Sequence, residues 1–182
     1  MKKILTTCVV AAACLAAPAF AQGYVGAGLG SSKISGFDAG TTTGGNTSKG
    51  MAKIYGGFQF TPNWGLELQY SDLGRRDVAT AGVGTGSFRA SQFSIAGTGT
   101  LPLTSGFSVL GKLGVSANRI NGSGTTGSGN ATSALIGVGV AYNITPALSA
   151  RLEYEDFGAM AKNAPGGTVR ANAYSLSLKY AF

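Results

Sequence analysis

From Gln22 onward, apolar and polar residues alternate with a period of two in one segment after another. Successive side chains of a β-strand point to opposite faces, so this period is typical of strands, and no window shows the spacing of an amphipathic helix. Residues that favour turns interrupt the alternation. The pattern predicts an all-β chain with eight strands, at residues 23–32, 51–60, 64–73, 87–101, 106–118, 132–143, 147–157 and 170–182.

Each of the clearest strands has one apolar and one polar face. In the third strand the apolar face consists of Trp64, Leu66, Leu68 and Tyr70. In the last strand it consists of Tyr174, Leu176, Leu178, Tyr180 and Phe182. Alternation alone does not say whether this face points inward, as in a soluble barrel, or towards lipid.

The connections between the strands fall into two alternating classes. The short ones lie at residues 61–63, 102–105 and 144–146, and the long ones cover about 33–50, 74–86, 119–131 and 158–169. Outer-membrane barrels have short periplasmic turns and longer external loops. The sorted lengths therefore predict an eight-stranded antiparallel transmembrane β-barrel, an up-and-down meander with both termini on the short-turn side.

Aromatic residues gather at the two ends of the predicted strands. Near the short turns these residues are Phe60, Trp64, Phe107, Tyr142 and Phe182, and near the opposite rim they are Tyr70, Tyr154 and Tyr174. Amphipathic rings at headgroup level form two such girdles in membrane barrels. Together with the loop lengths and an export signal, they favour lipid outside the barrel over a soluble, lipocalin-like binder.

With lipid outside, several charged residues point into the lumen, namely Lys53, Glu67, Lys112, Arg151, Glu153 and Lys179. An eight-stranded barrel is just wide enough for side chains to fill it. We therefore expect a buried network in which Glu67 and Glu153 are shared among the cations, with Gln59, Gln69 and Gln92 nearby. The alternative is that the same residues line a water-filled pore.

The first residues resemble a secretory signal peptide. Lys2 and Lys3 form a basic region, residues 4–17 an apolar one, and Ala19-Phe20-Ala21 a cleavage site, so we expect residues 1–21 to be removed and 22–182 to form the barrel. The apolar stretch is short for a transmembrane helix and ends at Pro18. A lipoprotein site at Cys14 lacks the usual bulky aliphatic residue three positions upstream.

Composition narrows the possible functions. Without Lys2 and Lys3 the chain keeps 14 − 2 = 12 basic residues against 7 acidic ones, a net charge of +5. An exported chain does not meet nucleic acid, so outer-membrane lipid and lipopolysaccharide are the expected electrostatic partners. Histidine, the usual general base, is absent, and both cysteines lie in the signal peptide. We expect no enzyme activity, catalytic residue, cofactor or metal site.

The sequence also repeats itself at an offset of 84 residues. Residues 61–74, which begin Thr-Pro-Asn-Trp, correspond to residues 145–158, which begin Thr-Pro-Ala-Leu, and both end in Asp, a bulky apolar residue and Gly. Two turn-plus-strand units that meet the same physical demands also explain this repeat. In either case both units begin at a tight turn on the same side of the barrel.

The first strand, from Gly23 to Gly30, and the last, from Tyr174 to Phe182, resemble the OmpA-like family of outer-membrane β-barrels. This resemblance implies a Gram-negative outer membrane. It also implies that the terminal aromatics Tyr180 and Phe182 form a signal read by the barrel assembly machinery. Family roles are envelope integrity, surface adhesion or narrow passive permeation. Because the chain stops at Phe182, we expect no periplasmic peptidoglycan-binding domain.

Two functions remain at this point. We favour a structural or surface-interaction role in which the barrel is a stable platform for the long external loops, whose ligand the sequence does not identify. The alternative is a narrow porin-like channel for ions or small solutes, with the lumen charges in contact with water.

Overall fold

The computed structural model describes residues 22–35, 48–80, 84–104, 106–123, 129–164 and 167–182. The predicted signal peptide and its cleavage site at Ala19 and Ala21 lie outside these residues. The eight strands are β1 (Gln22–Ser35), β2 (Ser48–Gln59), β3 (Trp64–Thr80), β4 (Gly84–Pro102), β5 (Phe107–Ser123), β6 (Gly129–Asn143), β7 (Leu148–Ala164) and β8 (Gly167–Ala181).

The strands form one closed barrel in sequence order, and every neighbouring pair is antiparallel. The first and last strands close it, with register pairs that run from Tyr24 opposite Ala181 to Ser35 opposite Arg170. Closure leaves no strand edge unpaired in lipid. Within the described part of the chain, no helix is long and apolar enough to cross a membrane.

The barrel is inverted relative to a soluble protein, as the sequence predicts. Large apolar side chains lie on the outside, among them Leu68, Leu113 and Leu176, and polar side chains lie inside. In β3 the pattern is strict, because Leu68 is 46% exposed whereas its neighbours Glu67 and Gln69 are 2% and 3% exposed. Both predicted aromatic girdles are on the outer surface, at the two rims of the apolar band. The predicted fold class and strand faces are confirmed.

The short connections are tight turns. We call the end of the barrel at which they lie the short-turn end. In the first, the Phe60 amide donates to the Trp64 carbonyl (3.0 Å), and the Trp64 amide donates to Thr61 Oγ1 (3.0 Å). In the third, Ile144 and Leu148 repeat these bonds, at 2.9 Å each, with Thr145. In these two turns a threonine hydroxyl therefore satisfies a backbone amide that the strand ladder leaves free.

The opposite end, which we call the loop end, differs from the prediction. Residues 75–80 and 84–86, predicted as part of a connection, are paired strand residues, and the strands also extend into the predicted connections 33–50, 119–131 and 158–169. The rest of these connections, residues 36–47, 81–83, 124–128 and 165–166, lies outside the described residues. At this end the strands remain hydrogen-bonded to their neighbours, although their sequences no longer alternate between apolar and polar residues.

Two bulges mark where the regular barrel gives way to these extensions. The register of β3 shifts between Asp72 and Arg75, and that of β7 shifts between Asp156 and Ala159. Gly74 (φ 82°) and Gly158 (φ 65°) lie in the bulges, and only glycine adopts such angles without strain. The Asp72 carboxylate accepts from the Gly74 amide (3.0 Å), and Asp156 accepts from Gly158 (2.8 Å).

Candidate functional site in the barrel lumen

Six buried charged groups meet across the lumen, and we call them the ion network: Lys53, Glu67, Lys112, Arg151, Glu153 and Glu155. They come from β2, β3, β5 and β7, and none is more than 5% exposed. Lys53 pairs with Glu153 (2.5 Å) and Glu155 (3.1 Å). Lys112 pairs with Glu67 (2.6 Å), Glu153 (2.6 Å) and Glu155 (3.1 Å). Arg151 pairs with Glu67 at 2.9 Å.

Glu155 is a network member that the sequence reasoning missed. Its side chain is fully buried and contacts both Lys53 and Lys112. Strand residues two apart share a face, so its position two residues after Glu153 was the available signal. With Glu155 included, three carboxylates face three cations, which is the balance that buried charges require.

Lys179 is the predicted site residue that the structure keeps apart from the network. It is only partly buried, and within the described residues no carboxylate lies within ion-pair distance of it. Its ammonium lies 5.0 Å from the centre of the Tyr24 ring, towards the short-turn end. The expected sharing of Glu67 and Glu153 therefore involves Lys53, Lys112 and Arg151, but not Lys179.

Two tyrosines that sequence reasoning did not select pack beside the network. Tyr24 donates its hydroxyl to Glu67 (3.0 Å), and the Tyr55 hydroxyl contacts Ser177 Oγ (3.1 Å). The Arg151 guanidinium lies 5.3 Å and 5.2 Å from the centres of their rings, close enough for cation–π attraction. Any side chain at Gly57 or Gly26 would clash with these rings, so the glycines make room for them.

The three predicted glutamines have different surroundings. Gln69 donates to Glu155 (3.3 Å) and accepts from Lys112 (3.2 Å), which links it to the ion network. Gln92 is buried in the lumen wall, 1% exposed. Gln59 donates to the Pro62 carbonyl (2.8 Å) at the short-turn end, away from the network.

An apolar layer fills the lumen between the ion network and the loop end. It consists of Ile34, Met51, Leu73, Ile120, Leu135, Phe157 and Met160. Leu73, Phe157 and Met160 are each 0% exposed, so this layer is as dry as the core of a soluble protein. The sequence holds the signal, because the inward face of β3 continues from Ser71 to Leu73 and that of β7 from Glu155 to Phe157.

Among the side chains described at the loop end, positive charges outnumber negative ones. The exposed basic side chains described there, which we call the basic rim, are Lys33, Lys49, Arg75, Arg89, Arg119 and Arg170. The acidic side chains described at this end are Asp72 and Asp156, both partly exposed. Arg89 Nε donates to Asp72 (3.1 Å), and this hydrogen bond is the main reason that the pKa of Asp72, just beyond the aromatic girdle, is below its usual value.

The C-terminal residues lie at the short-turn end. The Phe182 amide donates to the Gly23 carbonyl (2.9 Å), and the Ala181 amide donates to that of Ala147 (2.8 Å). The side chains of Tyr180 and Phe182 are exposed on the lipid-facing surface. The predicted assembly signal is therefore accessible on the outside of the finished barrel.

The following three are among the solved structures that share this fold. The Ail protein of Yersinia pestis, crystallised with the heparin analogue sucrose octasulfate, is 18% identical over 89% of this chain and 99% of its own, with a TM-score of 0.61. Neisserial surface protein A is 18% identical over 88% and 97%, with a TM-score of 0.61. OprG of Pseudomonas aeruginosa is 13% identical over 89% and 94%, with a TM-score of 0.56.

The search of curated protein sequences finds no significant match. The family model of the OmpA-like transmembrane domain matches residues 18–182, which is the entire barrel. The resemblance seen in the first and last strands is thereby confirmed, and so is the outer-membrane location it implies. The chain belongs to the family of OmpA-like transmembrane domains, eight-stranded barrels of the bacterial outer membrane.

Proposed function

We propose that this protein is a closed, non-catalytic platform in the outer membrane that supports envelope integrity and binds anionic surface glycans through its basic rim. The observation that carries the platform role is the filled lumen. Charged groups that line a water-filled pore remain hydrated, whereas every member of the ion network is almost fully buried. The apolar layer above it adds a second barrier to ions.

The basic rim supports the surface-binding part of the proposal. Six exposed cations against two partly exposed carboxylates, among the side chains described at the loop end, create a positive potential that attracts anionic polymers. The phosphorylated sugars of lipopolysaccharide are ligands of this chemistry in the same membrane. Sulfated glycans on a neighbouring cell are a second source, and the Ail structure contains such a mimic.

The direct test combines conductance with binding. Refolded protein in a planar bilayer should show no steady conductance, because the ion network and apolar layer fill the barrel. Stable unitary currents would contradict the platform role and favour the porin-like channel instead.

Binding is measured with purified lipopolysaccharide and with heparin in separate titrations. An Arg89→Gln/Arg119→Gln variant should bind the polyanion several-fold more weakly, with a smaller dependence on salt. Lys179→Gln is the matched control, because it removes a positive charge at the opposite end. Equal weakening by both variants would contradict a site at the basic rim.

We also propose that Tyr180 and Phe182 form the signal for the barrel assembly machinery. Their exposure at the end of β8 supports this role, since a receptor needs to reach the rings. Deleting Phe182 should reduce the amount of protein inserted in the outer membrane and leave export to the periplasm intact. Equal outer-membrane levels of the truncated and full-length proteins would contradict the proposal.

A further inference from the structure

A cavity of about 270 Å³ occupies the lumen at the short-turn end, below the ion network. We call it the vestibule. Its polar lining includes Ser149, Arg151, Lys179, Gln59 and Asn143. The network and the apolar layer separate it from the loop end, so it is reached from the side of the short turns.

The charges around the vestibule do not balance. Four cations and three carboxylates are described in the lumen, and all three carboxylates pair with Lys53, Lys112 or Arg151. The excess positive charge therefore resides at Lys179. Arg151 and Lys179 lie 5.3 Å and 5.0 Å from the centre of the same Tyr24 ring, and both line the vestibule.

Ser149 adds a hydrogen-bond donor to the same place. It is 3% exposed, and its hydroxyl has no hydrogen-bond partner among the described protein atoms. It lies directly opposite Lys179 in the register of β7 and β8, and both residues line the vestibule. A buried hydroxyl without a partner is costly unless something binds it.

We propose that the vestibule binds an oxyanion, specifically a phosphate group. Lys179 supplies the ammonium, Arg151 supplies guanidinium N–H groups beyond the one that it donates to Glu67, and Ser149 supplies a hydroxyl. The bound anion neutralises the excess charge and satisfies the serine. At about 30 Å³ per water molecule, the cavity holds a phosphate together with several waters.

This phosphate has two possible sources, the free ion in the periplasm or the headgroup of an inner-leaflet phospholipid. In the first arm, inorganic phosphate is titrated into the refolded protein in zwitterionic micelles at constant ionic strength. The NMR signals of the Ser149 amide and the Lys179 ammonium are followed, with chloride as the control titrant. In the second arm, the same signals are compared in nanodiscs with and without phosphatidylglycerol, in the absence of free phosphate.

We expect saturable shifts in at least one arm. Lys179→Gln should weaken this binding at least tenfold, and Ser149→Ala should weaken it several-fold. Asn121→Ala, an exposed side chain near the loop end and outside the basic rim, should leave the affinity unchanged. Unfolding midpoints in urea establish that all variants are folded before the comparison is made.

Shifts with inorganic phosphate identify the free ion as a ligand, and shifts with phosphatidylglycerol alone identify the headgroup. The absence of saturable shifts in both arms would overturn the proposal. Unchanged affinity of Lys179→Gln would also overturn it.

Discussion

The two halves of the barrel, β1–β4 and β5–β8, share a backbone design but not a set of lumen charges. Hydrogen bonds recur at the offset of 84 residues that relates the sequence repeats. Ser32 Oγ donates to the Leu73 carbonyl (2.9 Å), and Ser116 Oγ donates to that of Phe157 (3.0 Å). The threonine turns and the aspartate–glycine bulges recur in the same way.

The side chains that face the lumen differ between the halves. Glu67 corresponds to Arg151, and these two equivalent residues form an ion pair at 2.9 Å. Gln69 corresponds to Glu153, and Ser71 corresponds to Glu155. Positions that the backbone constrains can thus be identical in both halves. Positions that meet across the lumen have to be complementary, since two glutamates or two arginines would repel each other.

The largest expected effect comes from breaking this complementarity. Glu67→Ala should lower the free energy of unfolding by about 3–5 kcal/mol, because Arg151, Lys112 and Tyr24 lose a buried partner. Urea unfolding in lipid vesicles measures it. The Glu67→Ala/Arg151→Ala variant should lose less than the sum of the two single variants. A stable Glu67→Ala variant with altered ion selectivity would instead indicate a water-filled lumen.

Truncating a side chain of the apolar layer should destabilise the barrel without leaving a buried charge unpaired. Leu73→Ala removes a fully buried side chain and should cost about 2–5 kcal/mol through lost packing. Its cost should change little between low and high salt, and so should that of Glu67→Ala, because salt screens buried charges only weakly. Both variants are measured by the same urea titration at two salt concentrations. A cost near zero would mean that the layer is loosely packed.

The repeated bulges allow a matched test of the backbone design. Gly74→Ala and Gly158→Ala both place a Cβ at positive φ, where it meets the Gly50 carbonyl and Ser133, respectively. Each substitution should cost about 1–3 kcal/mol. The two costs should agree within error if the halves are equivalent in backbone. A large difference, measured by urea unfolding, would show that one bulge bears more strain.

The smallest effect concerns Asp72, whose pKa is depressed mainly by the hydrogen bond from Arg89. A carboxyl with a lower pKa in the folded state contributes stability above its unfolded pKa of about 4, and this contribution is lost as the pH falls further. Asp72→Asn keeps the turn at Gly74 and should remove only this acid-dependent part. Solvent and salt screen the exposed pair, so the difference should be small and should vanish in high salt.

How much of this structure can be predicted from the sequence depends on what the period-two alternation of apolar and polar residues encodes. It reports which face each strand buries, so the lipid-facing positions and six inward charges can be read directly. It carries no information where neither face is continuously apolar, as from Arg75 to Thr80, and the strand extensions there depend on the neighbouring strand. Nor does it say how far a side chain reaches across the lumen, which is why it does not separate Lys179 from the ion network. Glu155, two residues after Glu153, could have been read from the same alternation.

The pairing of β1 with β8 has a consequence for biogenesis. The strand made first hydrogen-bonds with the strand made last, so this contact has nearly the highest sequence separation that the chain allows. Folding that depends on such distant contacts is slow, and β1 keeps an open edge until β8 arrives. Before β8 pairs with β1, the apolar side chains that face lipid in the finished barrel are not yet held in a closed sheet, and exposed apolar surface of this kind is prone to aggregation. We therefore expect the chain to need a factor that shields its alternating apolar segments until β8 has paired with β1.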